Sequence, residues 1–317
     1  MNPVFSNNTD FLPQFKAIGQ SLKRRFFRKP NVSDAVDQYE ALYQELQREE
    51  QKEFAAICCL EAAKCQETLQ NPIPQANLLV KAAKLYLQAR NSYKDFENED
   101  YSFCDLENER GSASHGYSQI AVQSLDQAAK IFKTHKYFGM SLVIIMQTGQ
   151  VLYEEHDYGE ALKHFKSALD IAKMNFTLAD QLVVLEQVLK CKVRLTDYES
   201  VSKTVGDILI ILNQHRDEVP DDMWHFYVQR FEIMRVCLIL ILGVNSVDLV
   251  KFIWPEGLSK SEDGDQERKE VLIHLKSLVL AVQNGSVKEI KAVENNLSHT
   301  LTEMHQDLFT SLIQMQM

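Results

Sequence analysis

The sequence predicts an all-α protein built from antiparallel helical hairpins. Apolar residues recur at helical spacing along almost all of its 317 residues, and strand-like alternation is nearly absent. Only 7 prolines and 11 glycines interrupt the pattern, which favours long helices with short connections because both residues break helices. Short connections place each helix antiparallel to its neighbour in sequence. We therefore predict a single helical-repeat domain over residues 1–317.

Turn and capping residues divide the chain into successive helices. Prolines stand between periodic segments, where helices usually end, at Pro30, Pro72, Pro74, Pro220 and Pro255. Ser286 and Glu289 have the spacing of a capping box that opens a helix, and Thr177 with Asp180 is a weaker form of this signal. The predicted helices are residues 10–28, 34–49, 51–70, 75–93, 116–134, 137–155, 158–174, 178–195, 198–214, 221–243, 246–253, 267–284, 287–298 and 300–315.

Two polar stretches interrupt the helical pattern. The segment at about 94–116 is rich in Asp and Glu and contains two glycines, so we predict an acidic surface loop there. A second polar loop is predicted at about 255–266. Acidic residues in this loop and just after it form a candidate contact for a partner, at Glu262, Asp263, Asp265 and Glu267. A solvated loop is the alternative interpretation of the same charges.

One segment has the pattern of a tetratricopeptide repeat. The residues that carry the pattern lie on two helices and the turn between them, at Gly149, Leu152, Tyr158, Ala161, Phe165 and Ala168. Small residues let the two helices approach closely, and Phe165 fills the space that remains. A degenerate copy follows roughly forty residues later, where Asp197 and Tyr198 repeat the turn. We therefore predict a tetratricopeptide-like α-solenoid, with generic helix packing as the alternative.

The sequence lacks the common motifs of catalysis and cofactor binding. It has no G-x-G-x-x-G, no phosphate-binding G-x-x-x-x-G-K-[ST] and no H-E-x-x-H. Cys58, Cys59 and Cys65 lie on one helix without the C-x-x-C spacing of a zinc site, so we predict that they pack in the core. We expect no catalytic residues, no cofactor and no metal, and an enzyme with an unrecognised site is the least favoured hypothesis.

The charge distribution favours a protein as the partner. The net charge of −10 argues against nucleic-acid binding, which needs clustered basic residues. One basic run stands out in this acidic chain and is a candidate contact, at Lys23, Arg24, Arg25, Phe26, Phe27, Arg28 and Lys29. It is also compatible with a helix C-terminus, where cations complement the helix dipole, with an anionic membrane surface or with a nuclear-import signal. The polar N-terminus and the lack of a long apolar run favour an intracellular protein without a membrane-inserted segment.

This basic run also carries a family resemblance. Residues 22–32 read Leu-Lys-Arg-Arg-Phe-Phe-Arg-Lys-Pro-Asn-Val, which closely resembles the N-terminal signature of the 40-kDa huntingtin-associated protein family, also called factor VIII intron-encoded proteins. Residues 275–281 and 289–291 resemble the closing helices of that family. Mammalian members carry a proline-rich insertion, whereas the corresponding region near His215–Asp222 contains only Pro220. The resemblance therefore indicates a non-mammalian homologue that lacks the insertion.

The resemblance implies a scaffold that binds and stabilises huntingtin, a large HEAT-repeat protein, as a one-to-one subunit. It also implies association with early endosomes through a complex recruited by an endosomal small GTPase, and hence a cytoplasmic location. If the basic run is a nuclear-import signal, we expect the protein in the nucleus as well. The alternative function is a co-chaperone-type receptor for peptide tails, which needs a clamp of Lys, Asn and Arg side chains. The repeat offers only Lys163 and Lys166 for such a clamp.

Overall fold

The computed structural model describes residues 11–23, 31–98, 107–243 and 266–317. The chain divides into two compact units, Met1–Asp157 and Tyr158–Met317. Within the described ranges, the regular elements are thirteen α-helices and one short 3-10 helix. The prediction of an all-α fold made of helical hairpins is confirmed.

Unit 1 consists of six helices that pack in sequence order. They are α1 (Phe11–Ser21), α2 (Val32–Arg48), α3 (Lys52–Thr68), α4 (Pro72–Asn98), α5 (Glu107–Thr134) and α6 (Phe138–Glu154). Each of them packs against the next helix along the chain. Alanines line the contacts and are buried, at Ala55, Ala56, Ala62, Ala63, Ala82, Ala83, Ala128 and Ala129. Their small side chains let neighbouring helices approach closely, which is why long helices with modest apolar content form a compact array.

In unit 2, the helices pack in sequence order and the last helix also packs against two earlier ones. Its helices are α7 (Tyr158–Asn175), α8 (Leu178–Arg194), α9 (Tyr198–Gln214), the 3-10 helix Arg216–Glu218, α10 (Asp221–Leu242), α11 (Gln266–Gln283), α12 (Val287–Asn296) and α13 (Glu303–Met315). Consecutive α-helices pack together, and α13 additionally contacts α8 and α10. A shared core results, in which side chains of α10 such as Phe231 are buried together with Leu308 and Phe309 of α13.

The helices follow a regular spacing along the chain. In unit 1, α2, α3 and α4 begin at Val32, Lys52 and Pro72, twenty residues apart. In unit 2, α7, α8 and α9 begin at Tyr158, Leu178 and Tyr198, with the same spacing. A hairpin therefore recurs every 40 residues, which is longer than the roughly 34 residues of a tetratricopeptide repeat.

One turn geometry recurs in six of the helix connections that the structure describes. The residue that follows the helix C-cap has a positive φ, at Glu50, Gln70, Lys136, His156, Thr196 and Gly285. At Thr196 the next residue, Asp197, donates its N–H to the carbonyl of Lys192 at 3.1 Å, and Thr196 donates to Val193 at 2.9 Å. This hydrogen-bond pair defines a Schellman turn, which usually places glycine at the positive-φ position. Five of these six turns use other residues, so the turns are hard to recognise from composition.

Replacing Thr196 by glycine is expected to stabilise unit 2 by about 1 kcal/mol. Thr196 is exposed with a φ of 56°, a conformation that a β-branched residue adopts at a cost and glycine adopts freely. Urea unfolding followed by tryptophan fluorescence measures the effect, because both tryptophans lie in unit 2. Thr196→Ala is the control, since it keeps the Cβ atom and should bring no such gain. An equal gain in both variants would contradict strain at this φ as the cause.

Several predicted helix ends are corrected by the structure. The first helix, predicted to reach residue 28, ends at Ser21, whose hydroxyl donates to the carbonyl of Ile18 at 2.6 Å. α4 begins at Pro72, with Pro74 also in its first turn, because the fixed φ of proline suits a helix N-terminus. The capping residues behave as predicted: Thr177 and Asp180 form a complete capping box, and Ser286 accepts from the N–H of Glu289.

The predicted acidic loop is shorter than 94–116. α4 continues to Asn98 and α5 begins at Glu107, so both ends of that segment are helical, and residues 99–106 lie outside the described ranges. Gly111 and Gly116 each cost a helix about 1 kcal/mol relative to alanine, but the packing of α5 against α4 outweighs that cost. The predicted helix 246–253 and most of the polar loop at 255–266 also fall outside the described residues.

Candidate partner-binding surfaces

The two charged contact candidates lie mostly beyond the described residues. Lys23 is exposed just after the end of α1, and the other residues of the basic run, 24–29, are not described. The acidic residues Glu262, Asp263 and Asp265 are also outside the described ranges, while Glu267 lies in the first turn of α11. The role of both sets in binding stays a prediction. Because α1 ends at Ser21, Lys23 lies beyond the helix rather than in its last turn.

The residues of the predicted repeat belong to two different units. Gly149 is buried and Leu152 half-buried on α6, in unit 1. On α7, in unit 2, Ala161, Phe165 and Ala168 are buried and Tyr158 is half-buried. α7 packs against α8 within unit 2. Their role in packing one hairpin stays a prediction, although the buried positions have the periodicity that the repeat pattern requires.

α6 carries an apolar stripe on its exposed side. The stripe starts at Tyr137, the N-cap residue of α6, and continues at a spacing of three residues with Met140 and Val143. These side chains are 52%, 48% and 63% exposed, respectively. Residues at this spacing lie on the same face of a helix. No charged residue occurs in the sequence between Lys136 and Glu154. Contiguous exposed apolar surface of this kind is typical of a protein–protein contact.

A buried arginine that was not among the predicted site residues links three helices of unit 1. Arg90 on α4 is only 5% exposed. Its guanidinium donates to Glu154 at 3.0 Å and to Glu155 at 3.3 Å, both at the end of α6, and to the side-chain oxygen of Asn91 at 2.9 and 3.0 Å. Ser118 of α5 donates to Glu155 at 3.0 Å. The cluster ties α4, α5 and α6 together, which makes it a structural group rather than a docking site.

The described cysteines are unreactive core residues. Burial raises the pKa of Cys58, Cys59, Cys191 and Cys237 to about 12 and also raises the pKa of Cys65. Their thiols therefore stay protonated at neutral pH and are poor nucleophiles. Across the part of the chain that the structure describes, no group of three or more His, Cys, Asp or Glu side chains has a metal-binding arrangement. Nor is any helix in those ranges both long and apolar enough to span a bilayer.

Comparisons with known proteins agree with the resemblance seen in the sequence. No family model matches the chain. The 40-kDa huntingtin-associated proteins of Rattus norvegicus and Mus musculus are each 28% identical to it over 191 residues. The match covers 60% of this chain and 46% of each relative, so it spans about half the length of these curated proteins. The resemblance to these proteins that the sequence predicts is confirmed at the level of a distant homologue.

Proposed function

We propose that this chain binds huntingtin as a dedicated, non-enzymatic subunit. The observation that carries the proposal is the similarity to two proteins whose names state an association with huntingtin. From the family resemblance we further propose that the chain binds huntingtin one-to-one and stabilises it. We also propose a cytoplasmic role on early endosomes through a small GTPase.

The architecture of the chain supports a binding role. Helical arrays offer extended surfaces whose exposed side chains are free to contact a partner, since the core residues of each helix face its neighbours. The stripe Tyr137, Met140 and Val143 supplies apolar side chains that a large interface could cover. The net charge of −10 would favour encounter with a basic surface.

Affinity purification of the tagged chain with huntingtin of the same species tests the proposal. We expect near-equal amounts of the two proteins to elute together in size-exclusion chromatography and to remain together in high salt, because an apolar interface is little screened by ions. A chain that elutes alone would contradict huntingtin binding. A stable monomer that captures only chaperones would favour the peptide-tail receptor.

A charge placed on the apolar stripe of α6 tests whether this surface takes part. Val143→Glu is expected to weaken binding at least about tenfold, since burying an unpaired carboxylate costs more than 1.4 kcal/mol. Gln127→Glu adds the same charge at an exposed position of α5 and should leave binding unchanged. Titration by biolayer interferometry gives both affinities. Equal affinities for the two variants would remove the stripe from the interface without affecting the proposal of huntingtin binding itself.

A further inference from the structure

The last helix of unit 2 is held against helices that are distant in sequence. α13 packs on α8 and α10, and its apolar face is buried at Met304, Leu308, Phe309 and Leu312. Tyr198 at the start of α9 shares a hydrogen bond with Ser311 at 2.8 Å. The C-terminal helix thus completes the core of unit 2.

Ion pairs flank this apolar contact on the side of α8. Lys190 and Arg194, one turn apart, reach Glu303 at 2.5 and 2.6 Å, and Arg194 also reaches Asp307 at 3.0 Å. These four side chains are partly exposed, so each ion pair contributes little by itself. Burial alone would raise the pKa of Glu303, but hydrogen bonds from Lys190 and Arg194 hold it below its ordinary range. The pKa of Asp307 is raised by burial, and Arg194 offsets part of that rise.

His305 lies at the centre of the contact and is fully buried. Its Nδ1 accepts the backbone N–H of Thr302 at 3.0 Å, which places histidine in the role that Glu or Gln has in a capping box. Its Nε2 lies 2.9 Å from the backbone carbonyl of Arg230 in α10. A carbonyl can only accept, so Nε2 must donate, and the backbone N–H of Thr302 can only donate, so Nδ1 must accept. The neutral ring with its proton on Nε2 satisfies both backbone partners, and the Thr302 hydroxyl, 2.7 Å from Nδ1, can donate to the same nitrogen.

The charged groups around His305 disfavour a second proton. On α10, the charge of the Arg230 guanidinium lowers the pKa of the ring, and this guanidinium lies over Phe226 and is paired with Glu186 of α8 at 2.8 Å. Lys190 and Arg194 of α8 face Glu303 and Asp307 of α13, as described above. The pKa of His305 is lowered to about 4: burial is the main cause, the hydrogen bond to the Arg230 carbonyl acts in the opposite direction, and the Arg230 charge adds to the lowering.

α12 also packs against α13. Its charged side chains Lys288, Glu289 and Lys291 are exposed, and Glu294 is half-buried beside Cys237 of α10. The contact therefore combines a buried titratable ring, whose two nitrogens both have obligatory partners, with partly exposed ion pairs on one side only.

We propose that His305 is a proton-sensitive latch, whose protonation releases α13 from α8 and α10 while the other helices of unit 2 stay folded. A proton on Nδ1 can be donated to the hydroxyl oxygen of Thr302, but it excludes the hydrogen bond from the backbone N–H of Thr302. Protonation therefore removes this helix cap and turns the ring into a buried cation near the Arg230 charge. The released state exposes the ring to water, where both nitrogens can donate.

The direction of the pH effect follows from the two protonation equilibria. A histidine in water has a pKa near 6.5, whereas the pKa of the His305 ring in docked α13 is about 4. The stabilisation of the docked state is therefore complete above about pH 6.5 and is lost as the pH falls from there towards 4. Each pH unit below about 6.5 weakens the docking of α13 about tenfold. At about pH 5 the docking is therefore about thirtyfold weaker.

Hydrogen exchange of the full chain tests the latch. After correction for the intrinsic pH dependence of exchange, amides of α13 should open about thirtyfold more often at about pH 5 than at about pH 7.5, while those of α7 change little. His305→Gln keeps an acceptor at the capping position and cannot titrate, so the difference between the two pH values should disappear from α13. A difference that persists in His305→Gln would overturn the proposal, because other groups would then carry it.

A second measurement holds even if the variant does not fold. Imidazole C–H resonances of the wild-type protein report the titration of His305 directly. We expect protonation to coincide with the opening of α13, below the range in which exposed histidines titrate. A ring that takes up its proton near pH 6.5 while α13 remains protected from exchange would contradict the latch.

Discussion

Replacing Arg90 by methionine is expected to destabilise unit 1 by about 3 kcal/mol. The change keeps most of the side-chain volume but removes the cation that Glu154 and Glu155 bind at 3.0 and 3.3 Å. Losing one partner of a buried ion pair leaves the other charge without compensation, which costs more than the pair contributes when it is intact. The expected loss is at the lower end of the usual range because Glu154 is partly exposed. Urea unfolding monitored by far-ultraviolet circular dichroism measures it.

Removing the acidic partners together with Arg90 separates charge from packing. The triple variant Arg90→Met, Glu154→Gln, Glu155→Gln leaves no uncompensated charge, so most of the lost stability should return. Arg48→Met, at an exposed position in the last turn of α2, is the matched control and should change stability by less than about 0.5 kcal/mol. If the triple variant were as unstable as the single one, packing rather than charge would explain the loss.

The helices could be predicted from the sequence because their signals are local. Apolar periodicity, capping residues such as Thr177 and the alanine-rich contacts act within a few residues of where they occur. Arg90 could also have been identified, because it follows Tyr86 by one helical turn on a buried face of α4 that also includes Ala89. An arginine on an apolar face indicates a buried ion pair, whereas its acidic partners lie more than sixty residues further along the chain and cannot be named from local pattern.

Other features depend on contacts that no local pattern contains. The docking of α13 joins Arg194 to Glu303, and the partner of the His305 ring is a backbone carbonyl, which every residue offers. The Schellman turns without glycine are hard to predict because residues such as Thr196 stand where glycine is usual. Partner-binding residues are harder still to predict, since an exposed side chain such as Val143 has no structural requirement that would reveal its role.

The second large effect is expected from Phe165→Ala, which should destabilise unit 2 by about 3–5 kcal/mol. Phe165 is the aromatic residue of the predicted repeat, and its side chain is only 1% exposed on α7. Truncation removes the apolar transfer energy of the ring and leaves a cavity that neighbouring helices fill only in part. Tryptophan fluorescence in urea reports the change, because Trp224 lies in the same unit and its indole donates to the carbonyl of Leu212 at 3.2 Å.

Met174→Ala is the matched control for this substitution. Met174 lies on the same helix as Phe165 but is 82% exposed, so its truncation should cost less than about 0.5 kcal/mol. Phe165→Leu keeps most of the apolar volume and should fall between the two. This order of stabilities is what a ring filling the space between close helices requires. If Phe165→Ala were as stable as Met174→Ala, the aromatic position would contribute no core packing and the repeat interpretation of α7 would fail.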